Sequence, residues 1–230
     1  MHLLKRGQAP ECLAKYHHDR NEWDVFHPKN ASEKAKEEAE KERASIYHEL
    51  EVMQGKRCAY CECDLNDHRQ HIEHFRQRGS YCKGTFEWEN LFLSCSREES
   101  CGKHKDKCQY EHEDLIKPDV EDPEHYFLFV SDGTIVLRSE LNESEYHRAQ
   151  ETLRIFNLDE KRDEKRDKKR GALRSIRASV CSGYIQTAET IRELALEHPR
   201  EEWLPFLEEE LAKISNLPFC TAIKHTLTPA

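Results

Sequence analysis

Long apolar runs are missing from this 230-residue chain. No stretch of about eighteen or more apolar residues occurs, which excludes a membrane-spanning helix by hydropathy. The N-terminus also lacks an apolar stretch followed by a small-residue cleavage site, so the expectation is a cytoplasmic protein with no membrane partner. Glycine and proline are few, 8 of each, and charged residues reach 35%, which suits solvated helices better than a sandwich or barrel. There is no glycine-rich phosphate loop and no internal repeat, so the chain is not expected to bind a nucleotide itself. Nor is there an excess of positive charge. A net charge of −9 offers no global attraction for nucleic acid.

Cysteine, by contrast, is plentiful. Seven of the ten cysteines lie from Cys58 to Cys108, while Cys12, Cys181 and Cys220 stand apart as ordinary thiols. In a chain read as cytoplasmic, such a cluster points to metal binding rather than disulfides. Lys56, Arg57, Arg69, Arg76, Arg78, Lys83, Lys103, Lys105 and Lys107 gather around the same region, so a basic surface is expected there despite the global charge.

Three segments are expected. Residues 1–54 comprise an ordered apolar arm with Pro10, Leu13, Tyr16, Trp23 and Phe26, then a charged helix from Ala31 to Met53, capped by Ser32 and ended by Gly55. Residues 55–140 hold the cysteine cluster and a hairpin, in which Tyr126 to Val130 and Ile135 to Leu137 flank the turn Ser131-Asp132-Gly133-Thr134. Residues 141–230 read as helical packing and partner surfaces. Tyr146, Ala149, Leu153 and Phe156 recur at helix spacing, followed by a mixed-charge helix or linker from Asp159 to Arg170. Apolar periodicity returns from Leu173 to Leu196 and from Trp203 to Ile214, divided by His198-Pro199.

Cys58-x-x-Cys61 forms one metal knuckle, and Cys95 with Cys101 supplies a second pair. Four thiolates make a closed tetrahedral site, so its role is expected to be structural and its ion Zn2+. The gap between Cys95 and Cys101 is wider than usual, which leaves Cys63, Cys82 and Cys108 as substitutes. Between the pairs lies His71-Ile72-Glu73-His74-Phe75-Arg76, whose alternation places His71 and Glu73 on one face of a strand and His74 on the other.

Followed by Trp88-Glu89-Asn90-Leu91, Cys95, Cys101 and His104-Lys105-Asp106-Lys107, this stretch resembles the HNH, or ββα-metal, nuclease module. The resemblance implies an α+β, mainly α fold: a central ββα-metal module with zinc knuckles, a short β-hairpin and flanking helices. It implies His74 as general base, Glu73 as a ligand of catalytic Mg2+ or Mn2+, and Asn90 as a brace for the loop carrying His74. His104 is the implied second ligand, although in many relatives the third motif residue directly follows the last cysteine, where this chain has Gly102. Arg76, Lys105 and Lys107 are the expected nucleic-acid contacts. Cleavage in this family leaves a 5′-phosphate and a 3′-hydroxyl.

Within the superfamily, Cys-x-Tyr-Cys, Ile72-Glu73-His74-Phe75-Arg76, Trp88-x-Asn90-Leu91, Cys101-Gly102-x-x-Lys105 and the preceding Pro10-x-x-Leu13-x-x-Tyr16 resemble the PtuB family, the HNH subunits of Septu-type anti-phage systems. Gln77 stands where many relatives have proline, and Glu73 where the wider superfamily has aspartate. The resemblance implies a PtuA-like ATPase as partner and, in retron-linked systems, a reverse transcriptase with its RNA–DNA product. The substrate class is DNA, with tRNA as the alternative. The competing reading is a non-catalytic zinc-knuckle adaptor that binds nucleic acid or protein.

Overall fold

Ser32 begins the first long helix. Its side chain accepts the Ala35 N–H, and α1 then runs over Glu33–Gln54 until Gly55 adopts the left-handed conformation that ends it. This is the charged helix expected from the sequence, and it buries only one stripe. Ile46 and Leu50, one turn apart, are fully covered, each burial contributing about 1.5–3 kcal/mol. The computed structural model describes residues 1–65, 70–159 and 172–228, so nearly all of the mixed-charge run expected from Asp159 to Arg170 lies outside the described residues.

The last residue of α1 is also a connector. Gln54 is completely buried, and its side-chain amide donates to Arg57 O and Leu93 O and accepts from Leu93 N–H. It thereby satisfies a free edge of β2 (Leu91–Cys95), whose five residues are all buried. The other edge pairs antiparallel with β1 (Gln70–His74), in a register that sets Glu73 opposite Phe92 and His71 opposite Ser94. A short helix follows, α2 (Cys101–Lys105). Strand, strand and helix thus succeed one another across the cysteine-rich region.

The N-terminal arm packs against the body. Tyr16, Trp23 and Phe26 form an aromatic group with Phe86, with ring centroids 4.8–6.2 Å apart. The hairpin also forms where its turn chemistry placed it, as β3 (Phe127–Phe129) and β4 (Ile135–Leu137). Gly133 carries the positive φ of the turn, and its carbonyl accepts two hydrogen bonds from the buried guanidinium of Arg177. α3 (Glu143–Phe156) opens on a capping box between Asn142 and Glu145.

The C-terminal segment is more broken than its periodicity suggests. α4 (Leu173–Ser182) and α5 (Ile185–Glu197) divide at Gly183-Tyr184, where i to i+3 hydrogen bonds tighten the chain and end the α-helical run. α6 (Arg200–Ile214) starts after Pro199, and α7 (Cys220–Leu227), rich in Thr and unmarked by propensity, closes the described fold. Among the described residues there are thus seven α-helices and two separate two-stranded antiparallel sheets.

One core draws on all three sequence segments, from Met1 through Leu93 to Ala222, and a smaller one lies among α5, α6 and α7. The knuckle region is bolted to the last helix by Glu62. Its buried carboxylate accepts Thr221 N–H at 3.0 Å, the Thr221 hydroxyl at 2.6 Å and the amine of Met1 at 2.7 Å. Arg57 adds bonds to the carbonyls of Ser215 and Leu217, so this arginine of the expected basic surface is spent on packing. No helix among the described residues is long and apolar enough to cross a membrane.

Candidate active site

Cys58-Ala59-Tyr60-Cys61 reverses on itself because Glu62 takes a positive φ, its N–H donating to Cys58 O while Cys58 N–H donates to Cys63 O. Cys95 ends β2 and Cys101 starts α2, so the wide gap between them is the turn from strand to helix. All four thiols are buried and their sulfurs lie within 4.8 Å of one another. Cys61 and Cys95 are 3.8 Å apart, which matches the roughly 3.8 Å edge of a tetrahedron with Zn–S bonds of about 2.3 Å. Burial works against ionisation at Cys61, yet hydrogen bonds from neighbouring thiols bring it down to about 6. The set could hold a structural zinc ion. Cys63 lies beside it, its contacts with Cys58, Cys61 and Cys95 keeping its own thiol protonated. Cys82 is exposed and Cys108 neighbours His104, and neither joins the group.

On the face of β1 turned toward α2, Glu73 is held from two sides. Lys105 Nζ reaches Oε1 at 2.6 Å, and His71 Nε2 reaches Oε2 at 3.1 Å. Burial opposes the charged carboxylate, but His71 and Lys105 outweigh it and keep Glu73 below the usual range. The carboxylate lies directly over Gly102, closer to the place of a Cβ than any real side chain tolerates. Glycine at 102 is therefore what lets Glu73 sit there. Lys105 has no exposed surface and also donates to His74 O and Tyr110.

His74, at the end of β1, is buried edge-on against Trp23, with ring centroids 4.6 Å apart. Its Nε2 lies 3.0 Å from Thr85 O, an arrangement that puts the proton on Nε2 and leaves Nδ1 as the acceptor. Burial pushes this imidazole down to about 4, so it is neutral at neutral pH. The loop after it is held by Asn90, whose side chain accepts Arg76 N–H and donates to the carbonyls of Arg76 and Gly84. A cavity of about 580 Å³ opens here, lined by His71, Glu73, His74, Arg78, Lys103 and Asp106 among others.

The structure brings Glu73 and His74 to one cavity with Asn90 bracing the loop that follows, and leaves other expected residues elsewhere. His104 turns away toward α3, with its Nδ1 2.9 Å from Ile155 O, and does not line the cavity. The structure thus sets His104 apart from Glu73, the residue with which it was expected to share an ion. Lys105 is buried against Glu73 and does not line the cavity. Lys107 donates to Glu98, and Arg76 stacks over the Tyr81 ring at 4.8 Å outside the cavity lining. The cations that do line the cavity are Arg78 and Lys103, members of the basic cluster but not distinguishable within it by sequence.

Two strands, a short helix and four clustered cysteines, set among further helices, define a mainly helical α+β protein with a centre that could hold zinc. No family model matches the chain. Over 76 residues it is 32% identical to the Septu protein PtuB of Bacillus thuringiensis, a stretch amounting to 32% of this chain and 28% of PtuB. The likeness supports a Septu-like relationship and covers little more than a quarter of that relative's length.

Proposed function

We propose that the chain is a metal-dependent HNH endonuclease that hydrolyses phosphodiester bonds, acting as the effector of a Septu-type anti-phage complex. The observation that carries this reading is the pairing of Glu73 with His74 in one cavity, with the tautomer of His74 set by Thr85 O. Hydrolysis needs a base for water and positive charge near the phosphate. Nδ1 of His74 is the group that takes the proton from water, and Asn90 keeps its loop in place. Arg78 and Lys103 orient the phosphate from the cavity wall. A divalent ion, Mg2+ or Mn2+, held by Glu73 would offset charge on the phosphate and the leaving oxygen. The four cysteines would hold a zinc ion that clamps the module.

The similarity to PtuB supports a PtuA-like ATPase as the partner, and segment 141–230 is the region offered to it, with Leu196 87% exposed on α5. The test is cleavage of plasmid DNA and of bulk tRNA by wild type and His74→Ala with Mg2+ or Mn2+, with and without the ATPase. Cleavage that disappears in the mutant supports the nuclease and names its substrate. Absence of cleavage by zinc-loaded, folded wild type with its partner present favours the adaptor reading instead.

A further inference from the structure

With His104 turned toward α3, the proposed nuclease has a single assigned ligand, Glu73, for its catalytic ion. We infer that His71 is the second, so that Nε2 of His71 and Oε2 of Glu73 together hold the ion, and that this pair selects Mn2+ over Mg2+. The inference rests on the nuclease reading for the ion's purpose, but not for its binding.

Three observations carry it. His71 and Glu73 are two residues apart on β1, so both point to one side of the strand and both line the same cavity. Their facing atoms are 3.1 Å apart, close to the roughly 3 Å that separates adjacent ligands, each about 2.1 Å from one ion, at a right angle. Finally, the carboxylate is oriented for sharing. Lys105 occupies Oε1, while Oε2, seated against Gly102, is the oxygen that faces Nε2 of His71.

The charges decide which ion fits. Glu73 is the one carboxylate of the pair, and the Lys105 ammonium beside it largely offsets its charge. Mg2+ favours carboxylates and retains its waters, whereas imidazole binds transition metals better. An imidazole beside a carboxylate already paired with Lys105 therefore favours Mn2+, with water and a substrate phosphate oxygen completing the shell.

Binding can be measured directly by titrating Mn2+ into zinc-loaded protein and following loss of the free-ion electron paramagnetic resonance signal, with Mg2+ as competitor. One Mn2+ site is expected in wild type, His74→Ala and His104→Ala, displaced by Mg2+ only at about tenfold or greater excess. His71→Ala is expected to lose it. His71→Asp, which replaces nitrogen with oxygen, is expected to regain a site with its preference moved toward Mg2+. Zinc content and circular dichroism check that each variant folds. The inference is overturned if wild type binds no Mn2+ at millimolar concentration, if His71→Ala binds it normally, or if His104→Ala abolishes it. Mn2+ binding through His71 without any cleavage would sink the nuclease reading alone. Cleavage that survives His71→Ala would sink the inference alone.

Discussion

Lys105 and Glu73 form an ion pair of 2.6 Å between side chains that are 0% and 4% exposed. Removing one partner of such a pair strands the other charge, which costs about 3–5 kcal/mol, whereas removing both costs far less. Lys105→Met is therefore expected to lower stability by that order in chemical denaturation. Lys105→Met combined with Glu73→Gln is expected to recover much of it. A double variant no more stable than Lys105→Met would show that the lysine acts through packing and not through the carboxylate.

Zinc removal tests the cysteine cluster. Metal analysis is expected to find one zinc per chain, lost in Cys58→Ser or Cys101→Ser and kept in Cys63→Ser, Cys82→Ser and Cys108→Ser. Because the four thiols tie the knuckle to both β2 and α2, a strong chelator is expected to broaden or abolish the thermal unfolding transition. Retention of zinc by Cys101→Ser would move the fourth ligand to another residue.

On the proposed nuclease reading, phosphate contact falls to the cations that line the cavity. Arg78→Ala and Lys103→Ala are expected to weaken nucleic-acid binding and to reduce the salt slope by roughly 0.7–0.9 each. Lys107→Ala, whose ammonium already bonds to Glu98, is expected to change little. Binding isotherms across a salt series separate the two groups.

Acid should loosen the last helix. Burial opposes charge at Glu124, but hydrogen bonds from His225 and Lys224 hold it down to about 2. A carboxylate depressed in the folded state stabilises fully above its unfolded value of about 4.5, and the contribution is lost as pH falls from there toward 2. Its size is about 1–3 kcal/mol. Glu124→Gln is expected to be less stable than wild type at pH 7 and to approach it near pH 2. An equal gap at both values would show that charge plays no part.

The elements written in local chemistry were legible in the sequence. Ser32 and Gly55 bracket α1 and Asp132-Gly133 marks the hairpin, because each signal acts within a few residues, while Tyr146, Ala149, Leu153 and Phe156 mark α3 by their spacing. The paired cysteines were legible because metal ligation imposes spacing. What periodicity cannot tell is where a long side chain ends. Lys105 and Lys107 look alike in sequence, yet one is buried on Glu73 and the other reaches Glu98. His104 faced α3 for the same reason: the position of α3 is a tertiary fact. Gly102 carried a signal that could have been used, since a glycine inside a short helix marks a close approach, here by Glu73.

The bond between Glu62 and Thr221 joins residues 159 positions apart. A ribosome adding about 5–20 residues per second exposes the knuckle turn on the order of ten seconds before α7 follows it out. During that interval the Glu62 carboxylate and the Arg57 guanidinium face water, and the thiols are free to take up metal. The four cysteines of a nascent chain could thus meet a metal ion before the helix that holds Glu62 has been made.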